Sequence, residues 1–297
     1  MIYYSSDDIP IWTDEYKILT HAQLNITGLR MIGHANFRKA SSPLGPHYHH
    51  VKEFVVILKG RQRYSVNECH YSLCGGDIFT TLPEEVHGGN NNPQEICDFI
   101  WFQFDLSSEE NFLDLKPPYS HYMFRQLCDY EKRLSHTSQE NLRILPHMIQ
   151  LLHSDNLHEH LKGYNYFLEF LLDTLCRENY TSDDMGCASV ITSAADYIKA
   201  HLLENPTLDT IAEYCGLSRS KLYSKFKEQI GITPHVYTTM LKIDLAKTLL
   251  KNPENSITDV AFQLNFASSN HFSSAFKQYT GETPTVFRQR LQRKISE

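Results

Sequence analysis

The sequence predicts an α+β chain of two domains: an N-terminal antiparallel β-barrel with a helical region after it, and a C-terminal all-α domain built from two helix-turn-helix units. Three observations predict it. From Met31 to Phe104 the chain runs in short apolar or alternating stretches (EFVVILKG, RQRYSV, CHYSLCGGDIFTTLP, CDFIWFQF) broken by Gly, Pro and Asn. Between residues 136 and 180 the apolar positions switch to helical spacing. From residue 190 onward the chain repeats itself. These shifts place the barrel at 1–135, a helical region at 136–180, a linker at 181–189 and the paired units at 190–297.

Composition bounds the function classes. A chain of 297 residues that is 41% hydrophobic can bury two ordinary cores. The opening MIYYSSDDIPIWTDEYK is acidic where a secretory leader would be basic, and no apolar run approaches the length of a membrane span. A soluble, cytoplasmic protein with no membrane partner is expected. The seven cysteines form no CxxC pair, which argues for reduced thiols and against a zinc finger. The net charge of -7 is uneven: residues 190–297 carry thirteen Lys and Arg against ten Asp and Glu, so the acidic excess lies wholly before them. An acidic sensory part joined to a more basic, nucleic-acid-binding part fits this asymmetry.

In the barrel segment, short strands follow one another without helices, as in an antiparallel barrel or sandwich. Within it, PHYHHVKEFVVILKG places His47, His49 and Glu53 at one strand parity and so on one face, and His87 follows Pro83 on a later strand. Two readings of this set stay open. Three imidazoles and a carboxylate suit a divalent transition metal (Zn, Fe, Mn, Ni or Co). The same groups would equally line a metal-free pocket and hydrogen-bond an organic effector. Tyr48, Phe54, Tyr64, Phe79 and Trp101 are candidate aromatic walls for a sugar-like ring, with Tyr64 and Trp101 joining the four polar residues in the predicted effector site. Both segments resemble the two cupin motifs. The resemblance puts His47, His49, Glu53 and His87 on metal-ligand positions and has Gly60 close the first motif. The second motif departs from it, with Glu85 where glycine is usual and one residue fewer before the histidine.

Residues 106–135 read as irregular, with Pro117-Pro118 as a breaker. After them, Leu161, Tyr164, Leu168, Leu171, Leu172 and Leu175 recur at helical spacing. So dense a stripe needs a cover, either the barrel or the same helix of a second subunit. The acidic TSDDMGCAS at 181–189 reads as the linker.

In the last third, Leu208, Ala212, Gly216 and Leu217 match Ile257, Ala261, Asn265 and Phe266 at an offset of forty-nine. One inserted residue later, Leu222, Phe226, Lys227, Gly231 and Pro234 match Phe272, Phe276, Lys277, Gly281 and Pro284 at an offset of fifty. Each copy reads as helix, tight turn, helix, with Gly216 or Asn265 at the left-handed turn position and Ser218 capping the second helix of the first copy. Arg219, Ser220, Tyr223, Ser224 and Lys225 face outward in the first copy, and Ser269, Asn270, His271, Ser273, Ser274 and Lys277 in the second. Such polar side chains suit base edges and phosphates of double-stranded DNA. Solvated surface is the blander reading of any polar helix face, but it gives two faces no reason to share a turn, a cap and a spacer. The spacer after Thr233-Pro234 is a helix of about seventeen residues, roughly 25 Å at 1.5 Å per residue, which suits recognition helices about one DNA turn (~34 Å) apart.

With both copies and the spacer agreeing, the sequence resembles the AraC/XylS family of transcription regulators over residues 189–293. The resemblance puts base-reading positions on Ser220, Tyr223 and Ser224, and on Asn270, His271 and Ser274; Asn265 departs from the usual glycine. It implies a ligand-responsive transcription regulator, dimeric through the helical region, with DNA, a sugar-like small molecule and RNA polymerase as partners and no catalytic residues. Two other classes compete: a metal-dependent cupin enzyme tethered to a DNA-binding tail, and a carbohydrate-binding module without regulatory output. The duplicated units argue against the module. No nucleophile elbow, P-loop or dinucleotide fingerprint favours the enzyme.

Overall fold

The computed structural model of the chain describes residues 9–67, 69–89, 93–176 and 185–296, leaving aside the side chains of 185–189 and 294–296. The chain divides into two compact units, residues 1–37 with 43–181, and 38–42 with 182–297.

The strands are, in chain order, β1 (Ile11–Trp12), β2 (Tyr16–Thr20), β3 (Leu29–Phe37), β4 (Ser41–Pro43), β5 (Lys52–Val66), β6 (Cys69–Cys74), β7 (Asp77–Thr81), β8 (His87–Gly88), β9 (Pro93–Gln94), β10 (Cys97–Phe104) and β11 (Leu134–His136). The main sheet is antiparallel in the order β1-β2-β3-β10-β5-β7-β11, and β6 and β8 also pair with β5. Strand β5 makes the fold barrel-like. Its first half pairs with β10 and β7, its second with β6 and β8. The change of partner comes at Gly60, whose φ of +86° suits glycine and whose place would put a Cβ 2.3 Å from the Ile96 carbonyl oxygen. Among the described residues the sheet wraps without closing on itself.

Both faces of the sheet centre are buried, which is why β5 and β10 read as nearly continuous apolar runs. Phe54, Val56, Leu58, Ile100, Phe102 and Phe104 face a helical layer; Val55, Ile57, Phe99 and Trp101 face the barrel interior with Tyr64, Phe79 and Leu73. The short α1 (His21–Leu24) lies near the sheet edge, and α2 (Tyr119–Asp129) starts directly after Pro118. The reading of 106–135 as irregular is therefore corrected at α2. The proline pair stops the chain upstream, but Ser120, Met123 and Leu127 bury one helical stripe after it. Strands β1, β2 and β11 lie outside the segment that the sequence marked as sheet.

Helices α3 (Gln139–Leu152) and α4 (Leu157–Cys176) pack together. A side chain at Gly163 would lie 2.9 Å from the Leu152 backbone nitrogen, so glycine permits the close crossing. Asn141 donates to Asp173 at 2.6 Å and to Thr137 at 3.0 Å, tying the start of α3 to the end of α4. Phe167, Phe170, Leu171 and Leu175 pack on the sheet, with Phe170 stacked on Phe102 at 5.0 Å. The leucine stripe is split by this packing. Leu171 and Leu175 are covered by the sheet, whereas Leu161 and Leu172 remain exposed with Leu157.

The second unit contains α5 (Met185–Ala200), α6 (Leu208–Tyr214), α7 (Arg219–Ile230), α8 (Pro234–Leu249), α9 (Ile257–Gln263), α10 (Ser269–Thr280) and α11 (Pro284–Ser296). Residues 181–184 of the expected linker lie outside the described residues, and 185–189 already belong to α5. Two small cores form, one from α5, α6, α7 and the start of α8, the other from the end of α8 with α9, α10 and α11. The starts of α6 to α10 are capped alike: Thr207, Ser218, Thr233, Ser256 and Ser268 each accept from the backbone N–H three residues on. Gly216 at φ +63° and Asn265 at φ +56° hold the left-handed turns expected of them.

Candidate functional site

The polar site of the first unit grows out of strand register. Glu53 opens β5 on the interior face, opposite Gln103 of β10 and Thr81 of β7. Directly opposed residues share a face, so these three converge. His87 is brought in by β8, which pairs with the far end of β5, and by mutual backbone hydrogen bonds with His47 at 2.9 Å. His49 lies just before β5.

Each imidazole is held by a backbone carbonyl. Nδ1 of His47 bonds Gly45 O at 3.0 Å, that of His49 bonds Val51 O at 2.9 Å, and that of His87 bonds Glu85 O at 2.8 Å. A carbonyl only accepts, so Nδ1 carries a proton in all three rings, and in a neutral ring Nε2 keeps its lone pair. For His49 and His87 that Nε2 is buried and has no hydrogen-bond partner. It stands 3.4 Å from Glu53 Oε2 in His49 and 3.7 Å from Glu53 Oε1 in His87. Gln103 donates to Glu53 Oε2 at 2.9 Å, and the buried Thr81 hydroxyl has no partner.

Burial would raise the Glu53 carboxyl, but His49, His87 and Gln103 outweigh it and bring its pKa to about 2. Burial lowers His87 to about 4, leaving it neutral. His49 is lowered by burial yet raised on balance by Glu53. Burial and the Glu53 charge push the Tyr16 hydroxyl up to about 12, and Tyr64 rises for the same two reasons, so both phenols keep their protons.

His49, Glu53 and His87 therefore form the group able to hold a metal, their donor atoms all within 4.8 Å of one another. His47, predicted with them, is not part of that group, its ring 4.3 Å from that of His87 and 6.2 Å from that of His49. Tyr64 stacks on Phe79 at 5.1 Å and Trp101 packs on Tyr16 at 5.4 Å, both on the interior side. Phe54 is not a pocket wall; it packs toward the helices against Phe104 and Tyr130. Sequence reading missed Gln103, Thr81 and Tyr16. The expected single strand through His47, His49 and Glu53 is corrected, because β5 begins at Lys52 and His49 lies in the segment before it; only register tells which residue lies across from Glu53.

In the second unit, α7 exposes Arg219, Ser220, Tyr223 and Ser224, and α10 exposes Asn270, His271, Ser274 and Lys277. Ser269, Ser273 and Lys225 are half-buried. Lys227, which the repeat pairs with Lys277, is exposed and was available from the offset of fifty. The second copy and α8 are tied to the connection between α5 and α6. Asn265 donates to the Leu203 carbonyl at 2.8 Å, and Lys242 of α8 reaches Asn205 at 2.7 Å while lying 5.7 Å over the Phe266 ring.

These two halves match known families separately. The AraC-like ligand binding domain matches residues 35–166, and a helix-turn-helix domain matches residues 211–290. The chain belongs to the AraC family. As a member it is a ligand-responsive, DNA-binding transcription regulator. Among its curated relatives is the HTH-type transcriptional activator RhaS of Escherichia coli (strain SMS-3-5 / SECEC), 24% identical over 82% of this chain and 87% of that protein. The Msm operon regulatory protein of Streptococcus mutans is 24% identical over 80% of this chain and 83% of its own length. Among solved structures, an AraC-type regulator from Chromobacterium violaceum is 31% identical over 36% of this chain and 96% of that one, with a TM-score of 0.34. Among the described residues, no helix of this AraC-family chain is long and apolar enough to cross a membrane.

Proposed function

We propose that this regulator senses a hydroxyl-rich, sugar-like molecule inside its barrel, binds operator DNA through both helix-turn-helix units, and works in the cytoplasm as a homodimer that engages RNA polymerase. The convergence of Glu53, Gln103, Thr81, His49 and His87 beside Tyr16 and Tyr64 carries the sensor reading. A few convergent polar groups fix a ligand's hydroxyls, and aromatic walls cover its apolar faces. Trp101 supports that wall by packing on Tyr16. Such a ligand shifts the regulator only as far as it binds one state better than the other. The exposed leucines of α4 support the dimer, since water is a poor cover for Leu157 at 82% exposure.

The reading of the barrel as sensor rather than enzyme rests on the chain's relatives being regulators. The experiment is a thermal-shift screen of the full chain against neutral sugars and sugar acids, followed by operator-binding measurements with each hit. A compound that raises the melting temperature with the logarithm of its excess and changes operator affinity supports the sensor. Conversion of the hit to product would support the metal-dependent enzyme instead.

A further inference from the structure

Two buried imidazole nitrogens without a well-formed hydrogen bond need an explanation, because a desolvated polar atom left unpaired is costly. Three features account for them together. Both Nε2 atoms flank one buried carboxylate. Both rings are locked by Nδ1–H donation to a carbonyl, the support that metal-ligating histidines usually have. The carboxylate is itself steadied by Gln103. We propose that His49, Glu53 and His87, without His47, hold a single divalent transition metal ion in the barrel of this regulator.

Two nitrogen donors and one carboxylate select a first-row transition metal over Mg²⁺ or Ca²⁺. Three protein ligands leave coordination positions for water or for oxygen atoms of an effector. Thr81 adds a free hydroxyl on the same inner face. His47 is left out because it does not belong to the group whose donor atoms converge. The cupin resemblance would have made it an equal ligand. The site goes beyond the sensor reading and does not depend on which effector is bound.

The test strips the full chain with a chelator and titrates it with cobalt(II) alone. One cobalt per chain after gel filtration, with visible d–d absorption bands and a raised melting temperature, is the expected result. Glu53→Gln and His87→Asn should each abolish the bands while circular dichroism shows a folded chain. Gln103→Leu should weaken cobalt binding roughly 10–100-fold, as loss of an outer partner does. His47→Asn should keep both stoichiometry and bands. Folded wild-type chain that takes up no cobalt, or bands that survive Glu53→Gln, would overturn the site. Loss of the bands in His47→Asn would overturn the three-ligand assignment. A sugar that stabilises cobalt-free protein and changes operator affinity would leave the sensor reading standing whatever the metal result.

Discussion

Single residues in this chain show why an exception in a pattern can matter. Asn265 stands where the repeat has glycine, adopts the same left-handed turn, and adds a hydrogen bond that glycine cannot make, to the Leu203 carbonyl between α5 and α6. Asn265→Gly should keep the turn yet lower stability by about 1 kcal/mol, from the lost bond and the looser unfolded chain; urea unfolding of the full chain measures it. Lys52 is a buried cation whose Nζ donates to the Leu127, Cys128 and Tyr130 carbonyls at the end of α2. Lys52→Met would fill the space and leave three carbonyls unanswered, with an expected loss of about 1–3 kcal/mol by the same assay. On the DNA face, alanine at Asn270 or His271 should relax preference for particular bases at a cost of about 1–3 kcal/mol. Lys277→Ala should instead weaken binding to all sequences and reduce the salt slope by about 1. Anisotropy titrations on matched and scrambled operators at several salt concentrations separate the two outcomes.

At the scale of elements, α4 serves two covers. Its inner face is closed by the sheet, which fixes Phe167 and Phe170, and its outer leucines are left for another surface. If that surface is a second copy, Leu161→Glu with Leu172→Glu should turn a dimer into a monomer by light scattering with little change in melting temperature. An unchanged mass would remove this face from the interface. Gly163→Val is expected to do the opposite. It forces α3 from α4 and destabilises the fold by about 1–3 kcal/mol, as overpacking does, so the melting temperature falls in monomer and dimer alike.

For the whole molecule, the two small cores that share α8 make the DNA-binding half a pair of units rather than one. The 16 residues of α8 give a spacer of about 24 Å at 1.5 Å per residue, matching the predicted rod. Footprinting of the full chain should then show two protected blocks about one helical turn apart for each protomer. A single block, unchanged when Asn270, His271 and Ser274 are all replaced by alanine, would refute two-unit reading of DNA.

The sequence by itself determined the two-part architecture and the helix-turn-helix pair. Caps, turns and the i, i+4 apolar pairs are local signals, and duplication doubles them. It also named His49, Glu53 and His87 as one polar group, but by a strand parity that holds only from Lys52 onward. It missed α2, where a proline pair hid the helical stripe that follows, and it missed β11, three residues whose pairing partner lies more than fifty positions away. Only the tertiary structure decided which groups meet. Register brought Gln103 and Thr81 to Glu53, and the pairing of β8 with the far end of β5 brought in His87, while His47 stayed outside the group. Sheet packing divided one leucine stripe into a buried half and an exposed half. Periodicity reports that a face is apolar; what covers it depends on contacts between segments far apart in the chain, which no local pattern encodes.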